Sequence, residues 1–190
     1  IRDAATMRAA LRAAESGHLV LTTTHAPTTV AAIRKMLAYL DNSVADSQAL
    51  AACLVGIIAQ ALIRDQKKAG ENHLAYEVLN CRDLPVIEAV SAAASDGSGR
   101  KLTELENRVR GKELNSNATI PMMASLRKLV EGGKVDGIQA ASVAVNSEDK
   151  QDLLRMAQQA SNSKPSKPNE NWAESTGVFR VGGVVAGKGQ

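Results

Sequence analysis

Apolar residues recur at helical spacing through most of the chain, interrupted by short clusters of Gly, Pro, Asn and Asp. Met7, Leu11 and Ala14 mark one face of a helix predicted over residues 4–16, which Gly17 closes just past its end. The run from His18 to His25, with Leu19, Val20, Leu21 and three threonines between them, is apolar and β-branched and predicts a buried strand. Pro27 and Thr28 open a second helix over 29–40, with Val30, Ile33, Met36, Leu37 and Leu40 on one face. Helix, strand and helix in that order are the grammar of an α/β domain with a partly parallel sheet.

After Asp41-Asn42-Ser43 a third helix is expected to about residue 59, on the spacing of Leu50, Leu54, Ile57 and Ile58. Two short strands follow, 61–64 and 73–79, joined by the polar stretch 65–72 as a hairpin tip. Residues 84–95 return to helix, and Asp96-Gly97-Ser98-Gly99 breaks it. From 101 to about 160 the pattern is helical throughout: 102–114, a segment from Pro121 that Gly132-Gly133 ends, more helix from about Asp136, and a last helix over 148–159 with Ser147 as its N-cap. Beyond Ser161 the chain turns to Ser, Lys, Pro and Asn, the composition of a linker or disordered tail.

Hydrophobic residues make up 44% of 190 positions, enough for a core, so wholesale disorder is excluded. Aromatics are 2%, namely Tyr39, Tyr76, Trp172 and Phe179. The core must therefore be Ala, Leu, Val and Ile, and base stacking on aromatic platforms is a poor fit. Lys and Arg total 23 against 20 acidic residues, and a net charge of +3 is too weak to announce nucleic acid. Cys53 and Cys81 lack metal-ligand spacing and read as reduced thiols of a cytosolic protein. No apolar run approaches membrane-spanning length and no signal peptide is visible. The chain opens on Ile1-Arg2-Asp3 without Met and reads as a fragment.

Candidate chemistry concentrates between Arg12 and Thr29. His18 and His25 bracket the predicted strand at an odd separation, so their side chains fall on opposite faces and a straight segment does not direct both to one metal ion. His25 falls at the strand's C-terminal end, where open α/β sheets place ligands, and Pro27 pins the turn that follows. An imidazole there can hydrogen-bond a phosphate oxygen, the alternative being one satisfied by neighbouring backbone. Gly182 to Lys188 matches G-x-x-x-x-G-K, but Gly189 replaces the Ser or Thr that would hold magnesium, and no helix follows to supply amide donors. That match reads as tail. His73 and the lysines near it read as a solvated hairpin loop.

Ala13-Ala14-Glu15-Ser16-Gly17-His18-Leu19-Val20, followed by Thr23-Thr24-His25, resembles the histidine box of type II/IV secretion ATPases, which include pilus extension and retraction motors and conjugative transfer motors. Ile1-Arg2-Asp3 resembles the residues just after that family's Walker B glutamate. Ile33-Arg34-Lys35-Met36, Gln60-Ala61-Leu62-Ile63, Tyr76-Glu77-Val78-Leu79 and the segment from Met123 to Val135 resemble later family elements in the same order, so the similarity spans most of residues 1–158. Two departures stand out: Ala26 replaces a usual Thr, and Pro85 to Val90 lacks the arginine of the retraction motors' corresponding motif.

The resemblance implies an α/β fold, the C-terminal part of a RecA-like ATPase core over 1–83, followed by an all-helical subdomain over 84–160 and a flexible linker and tail over 161–190. It implies His25 and Arg2 as catalytic candidates near the terminal phosphate, and His18, Thr23 and Asp3 as nucleotide-binding candidates. ATP and Mg2+ are the implied cofactors, the magnesium ligands coming from an N-terminal half. A homo-oligomer, expected to be a hexamer, would work in the cytoplasm, peripheral to the inner membrane, against the platform of a secretion or pilus machine, with no direct nucleic acid contact. A non-catalytic helical interaction module is the alternative that residues 101–160 alone would suit.

Overall fold

Asp3 starts the first helix: its carboxylate accepts the Thr6 amide at 2.8 Å and the Thr6 hydroxyl at 3.0 Å, satisfying a donor that every helix start leaves open. In the computed structural model, which describes residues 1–96, 99–111, 114 and 119–162, helix α1 runs Ala4–Glu15 and buries Met7 and Leu11. Gly17, at φ +90°, ends it in the left-handed conformation that glycine adopts without strain. Helix α2 (Thr29–Tyr39) begins at Thr28, whose hydroxyl accepts the Ala31 amide, and turns Val30, Ile33, Met36 and Leu37 inward. Asp41 and Asn42 then reverse the chain into α3 (Val44–Cys53), and an Arg8–Asp41 ion pair ties that turn to α1.

Two expectations are corrected at this point. Residues 18–26 form no strand with any described segment, and Leu19 and Leu21 are 83% and 86% exposed. A β-branched run becomes a strand only where a neighbour pairs its amides, and no described strand does so. Helix α3 stops at Cys53 and strand β1 (Gly56–Arg64) replaces the predicted helix to 59. Leu54, Ile57 and Ile58 mimic helical spacing, but Val55 and the two isoleucines are β-branched and Gly56 weakens a helix interior.

Strand β1 pairs antiparallel with β2 (Asn72–Asn80), from Gly56 opposite Asn80 to Arg64 opposite Asn72. Among the described residues the sheet is thus a hairpin of two strands, where a partly parallel sheet was expected. Alternation turns Ala59, Ile63, Ala75, Glu77 and Leu79 inward and leaves Ile58, Leu62, Leu74 and Tyr76 on the open face.

Helices α4 (Leu84–Ala92) and α5 (Arg100–Gly111) close one core with α1 to α3, where Val86, Val90, Leu102, Leu105 and Val109 join Leu11, Ile33, Leu37, Leu50 and Leu79. Helices α6 (Met122–Glu131), α7 (Gly137–Val143) and α8 (Ser147–Asn162) build a second, in which Leu126, Val135, Ala140 and Leu153 gather with Ile63 and Ala75. Between α5 and α6 the helical pattern is interrupted: Ile120 exchanges both backbone hydrogen bonds with Val78 at 2.8 Å. Asn146, not Ser147, caps α8, its side-chain oxygen accepting the Glu148 amide at 2.7 Å because Ser147 is already helical. Residues 1–157 form one compact unit. Of the second, 158–190, the end of α8 is described. The tail with the G-x-x-x-x-G-K match lies outside the described residues.

Candidate functional site

The loop between α1 and α2 carries most of the sequence-derived candidates, and hydrogen bonds hold it at three places. At its head His18 Nδ1 lies 2.9 Å from Ser16 Oγ. In its middle the Ile1 nitrogen donates to the Thr23 carbonyl at 2.5 Å. At its tail Lys35 Nζ, reaching back from α2, donates to the His25 carbonyl at 3.0 Å. The structure therefore brings the segment carrying Arg2 and Asp3 alongside Thr22 and Thr23.

The side chains differ in what they have free. His25 is exposed, and among the described residues its imidazole has no hydrogen-bond partner. Arg2 is exposed and also forms no hydrogen bond or ion pair among them. Thr23 is exposed, and the neighbouring Thr24 hydroxyl is buried without a partner among the described residues. His18 is exposed and occupied at one ring nitrogen by Ser16. Asp3 is engaged as the α1 cap, and the Thr6 amide, then the Thr6 hydroxyl, hold its carboxyl below the usual range. An exposed imidazole, an exposed guanidinium and threonine hydroxyls are donors that suit phosphate oxygens.

Glu77 is the residue that sequence reasoning passed over. Only 5% exposed, its Oε1 accepts both the amide and the hydroxyl of Thr29, each at 2.8 Å, and its Oε2 accepts the Met122 amide at 3.4 Å. The signal lay in the alternation: Ala75, Glu77 and Leu79 share one strand face, so an acid stands among residues bound for the core. Beside it opens a cleft lined by Glu77, Glu106, Arg110, Met122 and Asp149. Arg110 pairs there with Glu148 at 2.8 Å, while burial pushes the Asp149 carboxyl up against the opposing pull of Arg110.

The type II/IV secretion system protein family matches this chain over residues 1–114, the stretch that holds the loop, the hairpin and Glu77. The chain belongs to that family. Its fold is similar to that of the ATPase DotB from Yersinia pseudotuberculosis, with a TM-score of 0.58 and 23% identity across 82% of this chain and 35% of that one. It is also similar to the pilus retraction motor PilT solved with bound ADP, with a TM-score of 0.61 and 25% identity across 78% of this chain and 39% of that one. No curated protein sequence matches it. This type II/IV secretion family chain thus spans little more than a third of each solved structure. The α/β architecture with a helical C-terminal part, expected from the sequence, is the architecture shared with both.

Elsewhere in this secretion-family chain the hairpin tip departs from its expected solvated state. His73 is half-buried and its Nε2 lies 2.6 Å from Asp65 Oδ2, while Asp65 Oδ1 accepts the Lys67 and Lys68 amides at 2.6 and 2.7 Å. Gln66 donates to the Lys134 carbonyl, so the tip is docked on the turn after α6. Among the described residues no three His, Cys, Asp or Glu side chains converge to hold a metal ion. Asp3, the one acid among the sequence-derived candidates, is already engaged as the α1 cap. No helix among the described residues is long and apolar enough to cross a membrane.

Proposed function

We propose that this chain supplies the histidine-bearing part of the nucleotide site in an ATP-hydrolysing motor that powers pilus assembly or retraction, protein secretion or conjugative transfer. The observation that carries the reading is the His25 imidazole, exposed and without a hydrogen-bond partner among the described residues, on a loop fastened to both α2 and the Ile1 end, in a chain of this family. Its likeness to a pilus retraction motor with bound ADP supports the ligand class.

In phosphoryl transfer the protein mainly positions groups and stabilises charge as it spreads over the phosphate oxygens. His25 donates to an oxygen of the terminal phosphate, and Arg2 offers the planar guanidinium that matches phosphate geometry. His18 and Thr23 hold the loop's path, and Asp3, by capping α1, sets the direction in which Arg2 leaves the helix. Magnesium accompanies ATP, its ligands lying beyond the described residues. The motor acts as a homo-oligomer, a hexamer in this reading, in the cytoplasm against an inner-membrane platform. Residues 1–83 belong to the ATPase core, 84–160 to a helical subdomain, and 161–190 to a linker and tail.

The test is His25→Ala in the full-length motor. ATP turnover is expected to fall about 100-fold, the scale for losing one preorganised donor to a developing anion, with the circular dichroism spectrum unchanged. Turnover equal to wild type sinks the assignment.

A further inference from the structure

We propose that Glu77 is a positioning residue for the His25 loop: it clamps the first residue of α2 and thereby links the loop's seat to α6. This rests on the reading of His25 given above.

The loop has little internal structure to hold it, so its placement depends on what it is fastened to. Two of its fastenings lie on α2: Lys35 holds the His25 carbonyl, and Thr28 and Thr29 start the helix three and four residues beyond His25. Pro27 stands between, and its fixed φ makes the connection stiff. Any shift at the start of α2 is therefore passed to His25. What fixes that start is Glu77. Thr29 is fully buried, and both its amide and its hydroxyl are given to one carboxylate oxygen.

A carboxylate is costly to bury, and its surroundings here offset the cost. Hydrogen bonds to a charged acceptor are about twice as strong as neutral ones, and the N-termini of α2 and α6 both direct amide N–H groups at it. Glu77 also stands at the seam of the two cores, between Leu79 of the first and Ala75 of the second on one strand face. Its second oxygen meets the first amide of α6, and α6 is held on the same strand by the Tyr76 amide donating to Ser125 Oγ at 3.2 Å. Displacement of α6 along the hairpin would be felt at Glu77 and, through Thr29, at the loop. Arg110, Glu106 and Asp149 are the charged groups that share its cleft.

The experiment compares Glu77→Gln and Thr29→Val in the full-length motor, each alone and each combined with His25→Ala. The amide keeps the shape but turns an NH2 group toward a helix amide, and valine keeps the volume but removes the hydroxyl. Each single variant is expected to lower the kcat for ATP about 10-fold or more, the effect of a small misplacement of a catalytic group, with KM within about twofold. Hydrogen exchange of amides 29–32 is expected to quicken. In the His25→Ala background neither substitution should lower kcat further, because both act through the same imidazole. If both variants keep wild-type kcat, or lower it as much without the imidazole as with it, Glu77 has no positioning role while the reading of His25 stands. If His25→Ala itself leaves turnover unchanged, that reading falls and takes the proposal with it. Should Glu77→Gln fail to fold, Thr29→Val decides alone.

Discussion

Asp65 illustrates how far a residue's neighbours alter its chemistry. His73, then the Lys67 and Lys68 amides, pull its carboxyl from the ordinary 3.8 down to about 2. A carboxyl whose folded value lies below its unfolded one binds its proton less tightly when folded. Its stabilisation is complete above the unfolded value and is lost as pH falls toward 2. Asp65→Asn is therefore expected to lower stability at neutral pH and to flatten the acid limb, read from urea midpoints at a series of pH values. An acid limb as steep as wild type would mean that Asp65 does not carry it. The sequence placed Asp65 and His73 at the two ends of a hairpin tip, but only the register that faces Ile63 with His73 brings the side chains within reach. Asp3 carries the same lesson: the family resemblance implied a nucleotide contact, and the Thr6 amide and hydroxyl already take both of its oxygens.

At the scale of elements, local pattern was a good guide wherever an element could bury its own apolar face. Helices α1, α2, α4, α6 and α7 lie close to where periodicity, Gly17, Pro27, Pro121 and Asp136 put them. The failures are the segments whose state depends on a partner. Residues 56–59 fit a helix by spacing and became a strand because β2 lies opposite, and 18–26 fit a strand by composition and stay irregular because no described strand pairs with them. Packing between elements sets limits that pattern does not show. Gly137, in the first turn of α7, faces α8 so closely that an added Cβ would lie 2.5 Å from the Leu153 carbonyl oxygen and 2.8 Å from Ala157 Cβ. Gly137→Ala is expected to destabilise the fold by about 1–3 kcal/mol, the range for overpacking, although alanine is the better helix former. A stabilised variant in a urea titration would show that α7 and α8 do not approach so closely.

For the molecule as a whole, the functional reading depends on parts that lie beyond the described residues. The chain spans 35% and 39% of the two solved structures it resembles, and its one G-x-x-x-x-G-K match ends in Gly189 where a hydroxyl would be needed. The polypeptide of residues 1–190 is accordingly expected to show no ATP turnover in a coupled phosphate-release assay, whereas the full-length motor does. Hydrolysis by purified 1–190 would overturn the placing of the phosphate-binding loop outside it.

Spacing and residue type within short stretches of chain were enough to establish the family, most of the helices and the hairpin, although Asn146 and not Ser147 caps α8. The tertiary structure alone decided that the His25 imidazole is exposed, that Ile1 runs beside Thr23, and that Glu77 joins two helix starts at the seam of two cores. The physical reason is range. A helix is encoded by residues three and four apart, whereas Glu77 and Thr29 stand 48 positions apart and meet only after both cores have closed.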